Sequence, residues 1–152
     1  MTTESVAGAS PENPIDNEQE WVAKQIAEYL ATDGEKPVFP GGAPLVLLTT
    51  QGRKSGDWRR TCLIGAEDEG RQIMVASMGG APQHPVWYLN LEANPEVVVQ
   101  NKGRIIRGTA RTATPEEKPA LWEKMVGLYP DYADYQTKTD REIPIVIVDP
   151  AA

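Results

Sequence analysis

Residues 45–65 read LVLLTTQGRKSGDWRRTCLIG, and the fold class follows from how that stretch divides. Leu45 to Thr50 is an apolar run of strand length, and Trp58 to Gly65 reads as the strand that returns. Between them lies a turn bounded by Gly52 and Gly56, so the stretch is a β-hairpin with Arg53, Lys54, Arg59 and Arg60 at or beside its tip. Four of the 15 basic residues thus fall within eight positions of a chain whose formal net charge is -7. Only Asp57 opposes them, so an anion approaching this tip meets a sign of potential that the chain as a whole does not offer. Glycines on both sides leave N–H groups uncovered and Ser55 adds a hydroxyl, which suits a phosphate or carboxylate. The alternative reading of the same spacing is a hairpin tip whose charges are merely solvated.

Composition narrows the chemistry. A chain of 152 residues is most simply one domain with a core of its own. Its acidic balance argues against a general nucleic-acid or anionic-membrane binder. One cysteine, Cys62, excludes an internal disulfide, and one histidine, His84, leaves no cluster with metal-ligand spacing. Redox chemistry would therefore have to come from an organic cofactor. The first stretch has neither a basic nor an apolar export region, and no apolar run approaches the ~20 residues of a membrane span, so a cytoplasmic protein is the expectation.

Outward from the hairpin, residues 1 to about 16 are polar and proline-containing and are expected to be a disordered lead-in, with the domain over 17–152. Val22, Ile26, Tyr29 and Leu30 give a helical stripe from Asn17 onward, widened by Trp21 and stopped near Gly34. Pro37, Pro40, Gly41, Gly42 and Pro44 then impose an extended crossing. Arg71 to Ser77 is a third strand, and Met78 to Pro85 a breaker-rich loop whose paired glycines suit close approach of backbone to a ligand. A short helix is expected from Pro85, carrying Trp87 and Tyr88 beside that loop; the alternative is that they are core aromatics. Glu96 to Lys102 and Arg104 to Thr112 form a second hairpin about Lys102-Gly103. Thr114 to Glu117 is a capping box, although Pro119 is awkward in the turn that follows. Pro130 ends that helix, residues 131–137 allow one more helical turn, and Ile143 to Val148 is a last strand. The sum is roughly six strands in meander order with flanking helices, which favours an α+β chain built on a small antiparallel barrel. No G-x-G-x-x-G follows a strand, so a Rossmann unit has no support.

The basic turn, SMGGAPQHPVWYLNL, NPEVVVQ and YPDYADYQTKTDREIPIV, in that order from about Trp21 to Pro150, resemble the deazaflavin-dependent nitroreductase family. The resemblance implies a split β-barrel of the actinobacterial kind that uses coenzyme F420. It also implies a cofactor-binding set of Arg53, Lys54, Ser55, Arg59, Arg60, Thr61 and Leu63, of Val75, Ala76, Ser77 and Met78, and of Val86, Trp87, Tyr88, Leu89 and Asn90. The turn and Arg59 would hold the phosphate and glutamate tail, while Val75 to Met78 and Val86 to Asn90 would wall the deazaflavin ring and ribityl arm. Met78 stands where many relatives have lysine, and Cys62 where a proline is expected; Arg60 is the residue available to compensate the lost lysine charge.

On the acceptor side the resemblance implies Ser77, Tyr129, Tyr132 and Tyr135 as orienting groups, with phenols that bind acceptor oxygens or relay a proton. The implied activity is hydride transfer from the reduced coenzyme to a small electron-poor acceptor, a quinone, enone or nitroaromatic. The rival readings are a storage protein for the coenzyme and a reductase using flavin mononucleotide. Nucleic acid is not an expected partner. Monomer or homodimer, and contact with a membrane where quinones reside, stay open.

Overall fold

The structure, a computed structural model, describes residues 6–151. In chain order its elements are β1 (Ile15–Asp16), α1 (Glu20–Thr32), β2 (Leu45–Gln51), β3 (Trp58–Asp68), β4 (Arg71–Val75), α2 (Val86–Ala93), β5 (Glu96–Asn101), β6 (Arg104–Thr112), α3 (Lys118–Leu128), α4 (Asp131–Thr137) and β7 (Ile145–Pro150). The strands run β3-β2-β5-β6-β7-β4, and β4 returns to β3, so six antiparallel strands close into a barrel; β1 adds a parallel pairing outside β3. The α+β barrel expected from the hairpins is therefore the fold observed.

The strand order is not a plain meander. Hairpins join β2 to β3, β3 to β4 and β5 to β6, but after β4 the chain crosses through α2 and β5 pairs with β2 instead. Closure rests on β3, whose 11 residues serve two neighbours in succession. Its first part pairs with β2 and its last part with β4, and Gly65 sits at the change of partner. A Cβ there would lie 2.6 Å from Val46 Cγ2, so only glycine lets the two strands approach as they do.

Strand β7 is buried on both faces. Ile145 and Ile147 point to an outer core under α3 and α4, with Leu121, Met125 and Tyr132, while Val146 and Val148 point into the barrel with Val46, Leu48, Met74 and Val99. Tyr88 and Leu91 of α2 plug that interior. Helix α1 lays Val22, Ile26 and Tyr29 on Leu47 and Cys62. Its anchor is the Tyr29 hydroxyl, which accepts the Lys102 N–H at 2.5 Å and lies 3.1 Å from the Leu45 carbonyl and 3.3 Å from that of Gln100. The stripe is narrower than its sequence promised, since Trp21 and Leu30 are exposed.

Two further boundaries differ from expectation. The expected lead-in, over its described residues 6–16, is laid along β3: Gly8 O accepts the Trp58 N–H at 2.8 Å, and Ile15 and Asp16 pair with Arg59 and Arg60. Polarity and prolines predict no core here, but an open strand edge can order a polar segment through backbone hydrogen bonds alone. The capping box forms, with Thr114 N–H on Glu117 Oε1 at 2.9 Å and Glu117 N–H on Thr114 Oγ1 at 3.2 Å. The regular helix nevertheless starts at Lys118, putting Pro119 in its first turn, where a missing N–H costs nothing.

Candidate functional site

A cavity of about 680 Å³ opens along the outer edge of β3, in the size range of small-molecule sites. One wall is the N-terminal strap and α1 (residues 15–19, Trp21, Val22), and the other is the 77–79 turn with Val86, Trp87 and Asn90. Tyr129, Tyr132, Tyr135 and Phe39 close one side.

The backbone of β3 supplies polar groups to this cavity. Gly52 N–H bonds to Asp57 O at 2.7 Å and Gly65 N–H to Pro44 O at 3.1 Å, and bonded pairs alternate along an antiparallel hairpin. Residues 59, 61 and 63 therefore spend their backbone groups on β2, while 58, 60 and 62 turn theirs outward. The strap covers the first two, taking Trp58 N–H on Gly8 O at 2.8 Å and giving Asn17 N–H to Arg60 O at 2.8 Å. Strand β4 takes over from Gly65. Cys62 lies between and lines the cavity; the register turns its N–H and C=O away from β2 and ahead of β4, and no backbone bond outside the regular ladder reaches them among the described residues. One donor and one acceptor side by side complement a cyclic imide.

Charge is arranged around this edge. Arg60 is tied to Asp16, Nε to Oδ1 at 2.6 Å, so it anchors the strap instead of standing free to replace the missing lysine charge. Arg53, Lys54 and Arg59 form no ion pair with any carboxylate among the described residues. The turn is held in shape: Ser55 Oγ accepts the Asp57 N–H at 3.1 Å, and the Arg53 N–H donates to Asn90 Oδ1 at 3.1 Å. Asn90 is buried on α2, so the cationic turn is fastened to the helix that bears Trp87.

The tyrosines form one cluster. Ring centroids of Tyr129 and Tyr132 are 5.0 Å apart, Phe39 stands edge-on to Tyr129 at 5.6 Å, and the Tyr129 and Tyr135 hydroxyls are 3.0 Å apart. The hydrogen bond with Tyr135, and then burial, raises the Tyr129 pKa, while burial chiefly raises that of Tyr132. Both phenols therefore stay protonated at neutral pH and are suited to donating a hydrogen bond, not to acting as bases. Burial likewise pushes the Cys62 thiol up to about 12, which leaves it a packed, unreactive group.

Of the residues singled out from the sequence, Arg59, Arg60, Thr61, Leu63, Val75, Ser77, Met78, Val86, Trp87, Asn90 and the three tyrosines line this one cavity. Arg53, Lys54 and Ser55 stand in the turn at its edge, and Leu89 is half-buried on α2 without lining it. Ala76 and Tyr88 belong to the barrel interior; Tyr88 is the core aromatic of its pair, 2.6 Å from Thr112 Oγ1. Sequence reasoning missed the strap residues 15–19, Phe39 and Trp21, all of which line the cavity. For Trp21 the signal was present, since a tryptophan at the margin of an apolar stripe is free to face something other than the core.

The family description F420H(2)-dependent quinone reductase matches residues 21–150, nearly the whole described chain. The chain belongs to the F420H2-dependent quinone reductase family. An F420H2-dependent quinone reductase of Mycobacterium tuberculosis is 37% identical over 113 residues, covering 72% of this chain and 76% of that protein. A solved F420-H2 dependent reductase is 50% identical with a TM-score of 0.66, covering 70% of this chain and 94% of the other. Another solved chain, described as a domain-swapped dimer, is 44% identical with a TM-score of 0.67, covering 88% of this chain and 100% of its own. Membership makes this protein an F420H2-dependent reductase that uses coenzyme F420, and it favours neither storage nor flavin mononucleotide as the function. Among the described residues no group of His, Cys, Asp or Glu is arranged to hold a metal, and no helix is long and apolar enough to cross a membrane.

Proposed function

We propose that this cytoplasmic reductase binds coenzyme F420 along the open edge of β3 and passes its hydride to a quinone-type acceptor under the tyrosine cluster. The observation that carries the reading is the meeting, at one cavity, of an aromatic wall, an uncovered donor–acceptor pair on Cys62 and Arg59 on its lining, with the unpaired cations of the turn at its edge. Arg53, Lys54 and Arg59 suit the anionic phosphodiester and glutamate tail, with arginine's planar fork the better match. Cys62 N–H and C=O suit the imide edge of the deazaflavin, and Trp87 and Val86 its flat ring. The bound coenzyme supplies the hydride; every other contribution is the chain's own. The Tyr129 and Tyr135 hydroxyls bind the acceptor oxygen on which charge develops, with Ser77 as a further hydroxyl on the same cavity. Phe39, Tyr132 and Trp87 keep water away from the transfer.

Two finer features go with this reading. Trp21, Met78 and Val86 are 61%, 53% and 62% exposed around the cavity and support a peripheral seat on a membrane that holds lipophilic quinones; sedimentation with neutral vesicles, lost in Trp21→Ser, tests it. The domain-swapped relative supports a homodimer, which light scattering tests. Function itself is tested by mixing the protein with reduced coenzyme and a panel of quinones, enones and nitroaromatics. Reappearance of oxidised coenzyme with quinones is the expected result, and binding without turnover on any of them overturns the assignment.

A further inference from the structure

Behind the turn that follows β4 lies a guanidinium with no carboxylate partner among the described residues. Arg141 donates to Ala76 O at 3.1 Å, Ser77 O at 2.6 Å and Ala81 O at 2.8 Å, and its Nη1 lies 3.0 Å from His84 Nδ1. Burial lowers its pKa, but three carbonyls favour the charged form and none of them removes the charge. Arg141 does not line the cavity, whereas Ser77, Met78 and Gly79 do.

Peptide planarity then gives the turn a direction. The N–H of a trans peptide points opposite to its C=O, so carbonyls of Ala76 and Ser77 drawn toward Arg141 send the Ser77 and Met78 N–H groups the other way, toward the cavity side. Neither N–H takes a hydrogen bond among the described residues. The conformation is not one the chain adopts freely: Met78, Gly79 and Gly80 have φ of 46°, 64° and 83°, and left-handed backbone at a non-glycine residue persists only where its surroundings impose it. Successive N–H groups in such a turn make an anion-binding concavity.

We infer that Arg141 is a positioning residue: from behind the turn it holds residues 76–81 so that the Ser77 and Met78 N–H groups form an acceptor site for an anionic oxygen on the cavity wall. The positive charge and the peptide dipoles point the same way, so the pair offers more than two neutral amides would. The inference rests on the proposed function for the identity of that oxygen, which comes either from the coenzyme's phosphodiester or from the acceptor as it is reduced. Nothing in it requires Arg141 to touch either ligand.

Three measurements on the full chain decide it. In the free protein, titration with inorganic phosphate is followed by the amide signals of Ser77 and Met78; a saturable shift is expected, weakened about tenfold in Arg141→Lys, which keeps the charge but not the fork. With coenzyme and quinone, Arg141→Lys is expected to lose about ten- to a hundredfold in one parameter only. Loss in coenzyme affinity assigns the oxygen to the phosphodiester; loss in kcat with affinity intact assigns it to the acceptor. In Arg141→Ala, added guanidinium is expected to restore that parameter, which a merely structural role would not show. Amides indifferent to phosphate, Arg141→Lys within about twofold of the parent in both parameters, or no rescue by guanidinium each overturn the inference. The phosphate arm needs no coenzyme, so a protein that shifts with phosphate yet ignores the coenzyme sinks the proposed function and leaves Arg141's role standing.

Discussion

Replacing Lys54 and Arg59 together by alanine should isolate the electrostatic part of the proposed coenzyme recognition from the fold. Neither side chain makes an ion pair or a side-chain hydrogen bond among the described residues, and both are exposed, so their loss removes no structural contact. The other two cations of the stretch are unsuitable, because Arg53 Nη1 lies 3.4 Å from Asn90 Oδ1 and Arg60 holds Asp16. A unit charge about 4 Å from a phosphate or carboxylate in water is worth about 1 kcal/mol, so two lost cations cost about 2 kcal/mol. That corresponds to about a 30-fold weaker Kd at low ionic strength. At about 1 M salt the screening length falls to about 3 Å, and the gap between parent and variant should shrink to a few-fold. Thermal unfolding should stay within about 0.5 kcal/mol of the parent, as befits an exposed site. The assay is equilibrium titration with oxidised coenzyme, followed by its fluorescence, at low and high salt. An unchanged Kd at low salt, or a loss that salt does not diminish, refutes the reasoning.

Other substitutions separate structure from chemistry. Tyr129→Phe removes one hydroxyl of the 3.0 Å pair and should lower kcat with quinone by about tenfold while leaving coenzyme Kd unchanged, as stopped-flow and titration will show. Gly80→Ala should destabilise the protein by roughly 1–3 kcal/mol in denaturant unfolding, because a Cβ at φ +83° would meet Tyr135 O at 2.7 Å and force the turn away from α4. Glu117 is held down to about 2, first by its hydrogen bond with Arg111 and then by the Thr114 N–H. Its folded value is depressed, so its contribution is present above the ordinary 4.5 and is lost as pH falls from there toward 2; Glu117→Gln should flatten that part of the stability profile. Cys62, with its thiol up at about 12, should resist alkylation at pH 8 until the protein unfolds, as mass spectrometry of iodoacetamide-treated protein will show.

The sequence carried the barrel because its strands are joined by short hairpins with turn chemistry at the tips, at Gly52 to Gly56 and at Lys102-Gly103, and local rules suffice there. It did not carry the crossing through α2, since pairing β5 with β2 is a long-range event that no local pattern encodes. The strap was illegible for a related reason. Residues 6–16 have no apolar periodicity, and they are ordered by backbone bonds to an edge that exists only once the barrel has closed. Within the site, the cationic turn and the tyrosines were legible as residue types. What sets their roles was not: Asp16 withdrawing Arg60, Asn90 fastening Arg53, and Tyr88 turning inward while Trp87 turns out. Arg141 could not be read at all, because an arginine between Asp140 and Glu142 looks like any solvated charge until three carbonyls are seen to converge on it.

The cavity beside β3 is proposed to take a negatively charged hydride carrier and discharge it onto a quinone. Reduced coenzyme F420, mixed anaerobically with the protein and a soluble quinone, should return to its oxidised form with saturation in both partners, and the coenzyme KM should rise with ionic strength. No turnover of any quinone, or turnover whose coenzyme KM is indifferent to salt, would contradict it.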